Sequence, residues 1–237
     1  MSSALLTAVF VLAIVVCALM LQVLIKTGWA ARLALDQPNA RSLHVKPTPR
    51  CGGLGVGVVA LLAAAYFLPM SAWYIFGFAL LALVSWLDDR GGLPIGWRFL
   101  GHIVAAVVAV VFAPEATWPV AALAVFAIVW GINLFNFMDG ANGMSASMIV
   151  VGFGCYGIAA VPVDPFIACT ALALSGAGLG FWLFNRTPAL LFLGDVGSIP
   201  AGFAMGALGY LGWQEGVWPC WFPWLVFSPF IADASAT

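Results

Sequence analysis

Ala4-Leu5-Leu6-Thr7-Ala8-Val9-Phe10-Val11-Leu12-Ala13-Ile14-Val15-Val16-Cys17-Ala18-Leu19-Met20-Leu21-Gln22-Val23-Leu24-Ile25 contains no charged side chain. About 20 such residues, wound as a helix, cross the hydrocarbon core of a bilayer. No Lys or Arg precedes the run, and a cleavable signal sequence wants a basic start and a shorter core, so the segment reads as a first membrane span. The pattern then repeats at Leu54–Leu68, Ala72–Leu87, Phe99–Phe112, Val120–Ile132, Met144–Val161, Phe166–Phe184, Ile199–Leu211 and Val217–Ile231. These runs predict about nine spans. The chain is 64% hydrophobic and 7% charged, where a soluble domain is about 25% charged. So few charges cannot cover a water-facing surface, and soluble enzyme folds are excluded. The expected fold is all-α, a polytopic transmembrane helix bundle forming a single integral-membrane domain over residues 1–237.

Net charge is -1, which argues against a nucleic-acid partner. The five cysteines are scattered, include no C-x-x-C pair, and read as small packing residues rather than disulfides or metal ligands.

Consecutive spans alternate direction, so the connections sort onto two faces. One face receives Lys26, Arg32, Arg41, Lys46, Arg50, Arg90, Arg98 and Arg186, all 8 basic residues of the chain. Basic loops mark the cytoplasmic side, which puts the N-terminus in the periplasm. Asp36, Asp88, Asp89, Asp139, Asp195 and Asp233 fall on the same basic face, while Glu115, Asp164 and Glu215 fall opposite. A transporter would place ionisable groups near the midplane. Here they gather at helix ends, as a site for a charged substrate at the membrane surface requires.

Trp86-Leu87-Asp88-Asp89-Arg90 ends the third span, where the helix dipole disfavours two carboxylates unless a cation compensates. Arg90 and water supply one such compensation; a divalent metal, or a proton taken from a phosphate acceptor, supplies another. Asn133-Leu134-Phe135-Asn136-Phe137-Met138-Asp139-Gly140-Ala141-Asn142-Gly143 is either an Asx-rich turn with Asp139 as an N-cap or a polar cradle for a nucleotide base or ribose. Asp195, in Phe192-Leu193-Gly194-Asp195-Val196-Gly197-Ser198, is likewise a cap or a Mg²⁺ ligand. In the long segment from Lys26 to Gly53, Arg41, Lys46 and Arg50 meet either lipid headgroups or substrate phosphates, on a stretch stiffened by Pro47 and Pro49. Gly52-Gly53-Leu54-Gly55-Val56-Gly57 is not a nucleotide loop, because it leads into a span; it predicts helix packing. Asn185-Arg186-Thr187 fits a glycosylation sequon but falls on the cytoplasmic face.

Taken in order, Asp36-x-Pro-x-x-Arg41-Ser-x-His44-x-x-Pro-Thr-Pro-Arg50, Asp88-Asp89, Asn133 to Gly143, and Gly194 to Ser198 resemble the polyprenyl-phosphate N-acetylhexosamine-1-phosphate transferases. The resemblance covers essentially the whole chain. It implies Mg²⁺-dependent (or Mn²⁺-dependent) transfer of a sugar-1-phosphate from a UDP-activated amino sugar to undecaprenyl phosphate, releasing UMP, at the bacterial inner membrane with the active site facing the cytoplasm. Matched by motif, Asp195 resembles the metal ligand with Asp89 beside it, and Asp88 the group that accepts the lipid phosphate's proton. Asp139 joins them as a catalytic residue, Asn133, Asn136 and Asn142 resemble nucleotide-site residues, and Phe192 stands where an aromatic stacks on uracil. Arg41, His44, Lys46 and Arg50 complete the substrate-binding set.

The resemblance is to the O-antigen-initiating branch, on Pro47-Thr48-Pro49-Arg50 and Asp88 to Pro94, which implies a UDP-N-acetylhexosamine or its 6-deoxy derivative. The rivals are the phospho-MurNAc-pentapeptide translocase of peptidoglycan synthesis and, outside enzymes, a transporter of lipid-linked sugars. Relatives of this type continue past Thr237 into a histidine-bearing loop and further helix, so a C-terminal segment is expected to be missing; a homodimer is admitted.

Overall fold

A computed structural model of the chain describes residues 1–38, 46–68, 72–112 and 117–236. It is 78% helical. In order come α1 (Ser3–Lys26), α2 (Trp29–Leu33), β1 (Leu35–Asp36), β2 (Thr48–Pro49), α3 (Gly52–Phe67), α4 (Ala72–Gly91), α5 (Ile95–Val111), α6 (Trp118–Phe137), α7 (Met144–Ala160), α8 (Pro165–Asn185), α9 (Asp195–Gln214), α10 (Phe222–Val226) and α11 (Ser228–Ala236). Four helices, α1, α4, α6 and α8, are long and apolar enough to cross a membrane by length and composition; α3, α5 and α7 are apolar but shorter. Outward-facing Leu62, Ile95, Trp118, Leu123, Phe126 and Ile158 are all strongly exposed, a surface stable only against lipid.

Each predicted span but the last is one helix. The last, Val217–Ile231, is broken: a turn leads into α10, the chain kinks at Phe227, and α11 restarts at Ser228. Pro219, Pro223 and Pro229 explain the break, since each lacks the N–H that a continuous helix would use. The expected ninth span is therefore not a single helix. The fold also adds a feature outside an all-α expectation, a two-residue antiparallel ladder pairing Leu35 with Pro49 and Asp36 with Thr48.

Two helices organise the bundle. On α8, Gly176 lies against the Phe10 carbonyl and Ala13, and Gly180 against the Ile14 carbonyl and Cys17, so α1 packs on one stripe of small residues. Between them Gly178 faces Ile149 of α7. On α9, Gly202 faces the Gly131–Ile132 backbone and Gly206 faces Ile128, which seats α6. Hydroxyls then hydrogen-bond across helices: Tyr74 donates to the Ala207 carbonyl at 3.0 Å, Tyr156 to Met205 at 3.1 Å and Ser175 to Val150 at 2.7 Å. In hydrocarbon a hydroxyl without such a partner would be costly.

The glycine-rich start of α3 does the packing predicted for it. Gly52 lies against Phe181, Gly53 against Gly197, and Gly55 against Leu21 and Cys17. All five cysteines are free. Cys17, Cys51 and Cys169 are buried, as small packing residues should be, whereas Cys220 is exposed.

Candidate active site

The C-terminal ends of α1, α4, α6 and α8 and the N-terminal ends of α3, α5 and α9 meet at one end of the bundle. α4 stops there because Gly92, at φ +66°, turns the chain and returns its N–H to the Asp88 carbonyl at 2.8 Å. Asp88 and Asp89 thus occupy the last turn of α4. The β1–β2 ladder folds the α1–α3 connection back on itself and brings Arg50 beside Asp36. The next connection joins it: Phe192 N–H donates to the Pro49 carbonyl at 2.8 Å, while Gly52 and Gly53 N–H groups donate to Phe192 and Leu193 carbonyls at 2.9 Å. Gly194, at φ +73°, passes so close to the Arg50 carbonyl that a side chain would collide with it.

Arg50 is the hub of this end. Its Nη1 lies 3.4 Å from Asp36 Oδ1, and its Nη2 lies 3.3 Å from Asp89 Oδ1 and 3.9 Å from Asp195 Oδ1. Three carboxylates from distant parts of the chain therefore share one guanidinium. Asp139 joins the same group, its carboxyl sensing Asp195, the Gly194 amide, Ser145 and Arg50. Burial pushes its pKa up to about 7; the Asp195 carboxylate adds to the rise, while Ser145, the Gly194 N–H and Arg50 oppose it.

The capping alternatives fail on geometry. The N-cap of α7 is Gly143 and that of α9 is Gly194, neither with a side-chain cap, so neither Asp139 nor Asp195 is an N-cap. Asp164 on the opposite face is a true cap, accepting from the Phe166 and Ile167 N–H groups at 2.8 and 3.0 Å.

Within the aspartate pair the contacts divide. Asp88 turns toward α5: Oδ1 accepts the Leu93 N–H at 2.7 Å, and Oδ2 lies 3.0 Å from Arg98 Nη1. Asp89 faces Arg50. Arg90, one of the compensating cations the sequence offers, instead lies over the Trp86 ring, 4.2 Å from its centroid.

Asn136 accepts a hydrogen bond from buried Ser198 at 2.5 Å, which ties the end of α6 to the first turn of α9. Asn133 is exposed and donates to the Val129 carbonyl at 2.7 Å, one turn back on its own helix. Asn142 and Phe192 are half-buried, and Lys46 is exposed two residues before β2. Arg41 and His44 lie outside the described residues. His102 is buried in α5 with neither ring nitrogen hydrogen-bonded.

Sequence reasoning missed Asn185. It is 4% exposed, accepts the Gly143 N–H at 2.9 Å and donates to the Leu191 carbonyl at 2.9 Å. One amide thereby clamps the connection carrying Asp139 to the connection carrying Phe192 and Asp195. Its only sequence signal was the sequon, which concerns a different chemistry.

Among the described residues no three His, Cys, Asp or Glu side chains form a ready metal cage. Mg²⁺ seldom needs one, being held by one or two carboxylates plus substrate phosphates and water. Asp89 and Asp195, whose carboxylates share the Arg50 guanidinium, are hard oxygen donors of the kind and number such an ion takes.

This fold and site define a membrane-embedded protein with an acidic, arginine-bridged centre at one end of its bundle. Residues 71–212 match glycosyl transferase family 4, and the chain belongs to that family. It is 31% identical over 223 residues to a probable undecaprenyl-phosphate N-acetylglucosaminyl 1-phosphate transferase of Bacillus subtilis, covering 84% of this chain and 62% of that protein. It is 33% identical over 215 residues to a phospho-N-acetylmuramoyl-pentapeptide-transferase of a Synechococcus species, covering 78% of this chain and 62% of that protein. A phospho-N-acetylmuramoyl-pentapeptide-transferase of Bacillus thuringiensis is 37% identical over 102 residues, covering 43% of this chain and 32% of that protein. The chain thus spans 62% of the length of the first two relatives.

Proposed function

We propose that this protein transfers an N-acetylhexosamine-1-phosphate, or a 6-deoxy derivative, from a UDP-sugar to undecaprenyl phosphate. UMP leaves, and the product starts a lipid-linked glycan such as O-antigen. The observation that carries this reading is the meeting of Asp89, Asp139 and Asp195 around Arg50 at one end of the bundle.

Phosphoryl transfer asks a protein for in-line positioning and for neutralisation of developing charge. Mg²⁺, or Mn²⁺ in its place, would supply much of that neutralisation on the donor's diphosphate when bound. Asp195 and Asp89 would hold it, with Asp139 alongside. Lys46 and Arg50 supply cationic groups for the donor phosphates, Asn136 and Asn142 polar contacts for the nucleoside, and Phe192 an aromatic face for the base. Arg98 offers the acceptor's phosphate a cation; as the phosphate draws Arg98 away, Asp88 is freed to take the acceptor's proton.

The acceptor needs a second contact for its tail. An apolar groove of about 340 Å³ runs between α6, α9, α10 and α11, lined by Leu123, Ile128, Trp130, Leu134, Tyr210 and Trp224. Leu134 lies between Asn133 and Asn136, so the groove reaches the charged end, and an isoprenoid suits it chemically. With the basic loops inside, that end faces the cytoplasm of a bacterial inner membrane, where soluble donor meets membrane-bound acceptor.

The relatives named for MurNAc-pentapeptide transfer favour a second reading, in which the donor is UDP-MurNAc-pentapeptide. UMP release in detergent with undecaprenyl phosphate and Mg²⁺, run across a panel of UDP-sugars, separates the two. The first reading expects turnover of a UDP-N-acetylhexosamine and none of the pentapeptide donor; the reverse result moves the protein to peptidoglycan synthesis, and no UMP from any donor defeats both.

A further inference from the structure

We infer that Arg50 is the resident counter-ion of the metal site: it holds the carboxylates together before a divalent ion arrives, and the ion's entry turns it toward the donor's diphosphate. The inference rests on the proposed metal-dependent transfer. It starts from the arginine's partners, which are Asp36 at 3.4 Å, Asp89 at 3.3 Å and Asp195 at 3.9 Å. Two of them, Asp89 and Asp195, are the expected metal ligands, so guanidinium and metal draw on the same oxygens.

The backbone makes the exchange local. Arg50 N–H donates to the Ala34 carbonyl at 3.1 Å, and the neighbouring Pro49 carbonyl accepts the Phe192 N–H at 2.8 Å. The main chain is fixed on both sides, while the side chain stays 33% exposed. It can therefore swing without moving its loop. Asp36, the partner outside the metal set, gives it a place to remain paired.

Charge explains why such a stand-in is needed. Asp89, Asp139 and Asp195 gathered in a half-buried site repel one another when ionised. A planar guanidinium with several donors can bridge carboxylates that a single ammonium cannot. Once a divalent ion takes over two of them, Arg50 is released beside the place where a diphosphate must lie. Metal entry and readiness for the donor are thereby linked through one side chain.

Mn²⁺ binding, followed by electron paramagnetic resonance on the purified protein in detergent without donor or lipid, tests this. Arg50→Gln should bind Mn²⁺ about three- to tenfold more tightly than wild type, the loss of one or two partly exposed ion pairs that the metal no longer displaces. Arg50→Gln should also bind UDP-N-acetylglucosamine more weakly in the presence of Mn²⁺. Unchanged or weaker Mn²⁺ binding in a folded Arg50→Gln protein overturns the inference.

A wild-type structure solved with Mn²⁺ gives a check that needs no variant. Arg50 should have left Asp89 and Asp195; an arginine still bridging both beside the bound ion overturns the inference while leaving the proposed function intact. A wild type that binds no Mn²⁺ at millimolar concentration and releases no UMP overturns the functional reading as well.

Discussion

Asp139 is the residue whose surroundings oppose its charge most plainly. Its pKa lies at about 7 because burial and the Asp195 carboxylate outweigh Ser145, the Gly194 N–H and Arg50. A carboxyl that holds its proton more tightly folded than unfolded stabilises the fold most at low pH, and loses that contribution as pH rises from its ordinary value of 3.8 through about 7. The metal-free protein should therefore melt at lower temperature at pH 7.5 than at pH 5.5, and Asp139→Asn should flatten that dependence. An Asp139→Asn protein with the wild-type slope would show that Asp139 ionises freely.

At this scale the sequence was legible where charge was scarce. With only 9 acidic residues in 237, each aspartate at a helix end stood out; the structure sets Asp89 and Asp195 at Arg50 with Asp139 near them, and turns Asp88 toward Arg98 instead. The resemblance alone gave Asp88 and Asp89 different roles; their different surroundings were not legible in the residues, because they depend on Arg98 and the Leu93 N–H reaching one carboxylate and not its neighbour. Asn185 was hidden for a similar reason: an amide that joins two connections has no signature in its own flanking residues.

Among the elements, the crossing of α3 and α9 matters most, since Gly53 and Gly197 meet there backbone to backbone and Asp195 begins α9 two residues earlier. Gly197→Leu should destabilise the bundle by about 1–3 kcal/mol through overpacking and reduce UMP release more than tenfold. Gly96→Ala, with nothing within 4 Å of the added carbon, should stay within about 0.5 kcal/mol of wild type. Thermal midpoints in detergent, measured beside turnover, check both; a Gly197→Leu protein as stable and active as Gly96→Ala would refute the crossing. Long apolar runs announced α1 and the helices from α3 to α9 because hydrophobic length is a strong signal, whereas five-residue α2 lies in no such run. The ninth run misled because mean hydropathy ignores three spaced prolines, and the β1–β2 ladder is too short to leave any period in the sequence.

For the whole molecule, the question is which end faces which compartment. Alternation of spans sorted the basic residues onto one face, and the fold gathers Lys26, Lys46, Arg50, Arg90, Arg98 and Arg186 at the end where Arg50 meets its carboxylates. Cys220 lies beyond the far end of α9 and is exposed. A membrane-impermeant maleimide should label Cys220 from outside intact spheroplasts and leave an Arg90→Cys protein, stripped of Cys220, unlabelled until the membrane is opened. The opposite labelling would invert the orientation.

The convergence of Asp89, Asp139 and Asp195 into one catalytic centre is tested most directly by UMP release from purified proteins carrying Asp89→Asn, Asp139→Asn or Asp195→Asn, each shown to be folded by its thermal midpoint. If the three act as a unit, each change alone should cut turnover by about a hundredfold or more, and pairing two should cost far less than the product of the single losses. Near-wild-type turnover in any one of them, with its fold intact, would contradict a shared site.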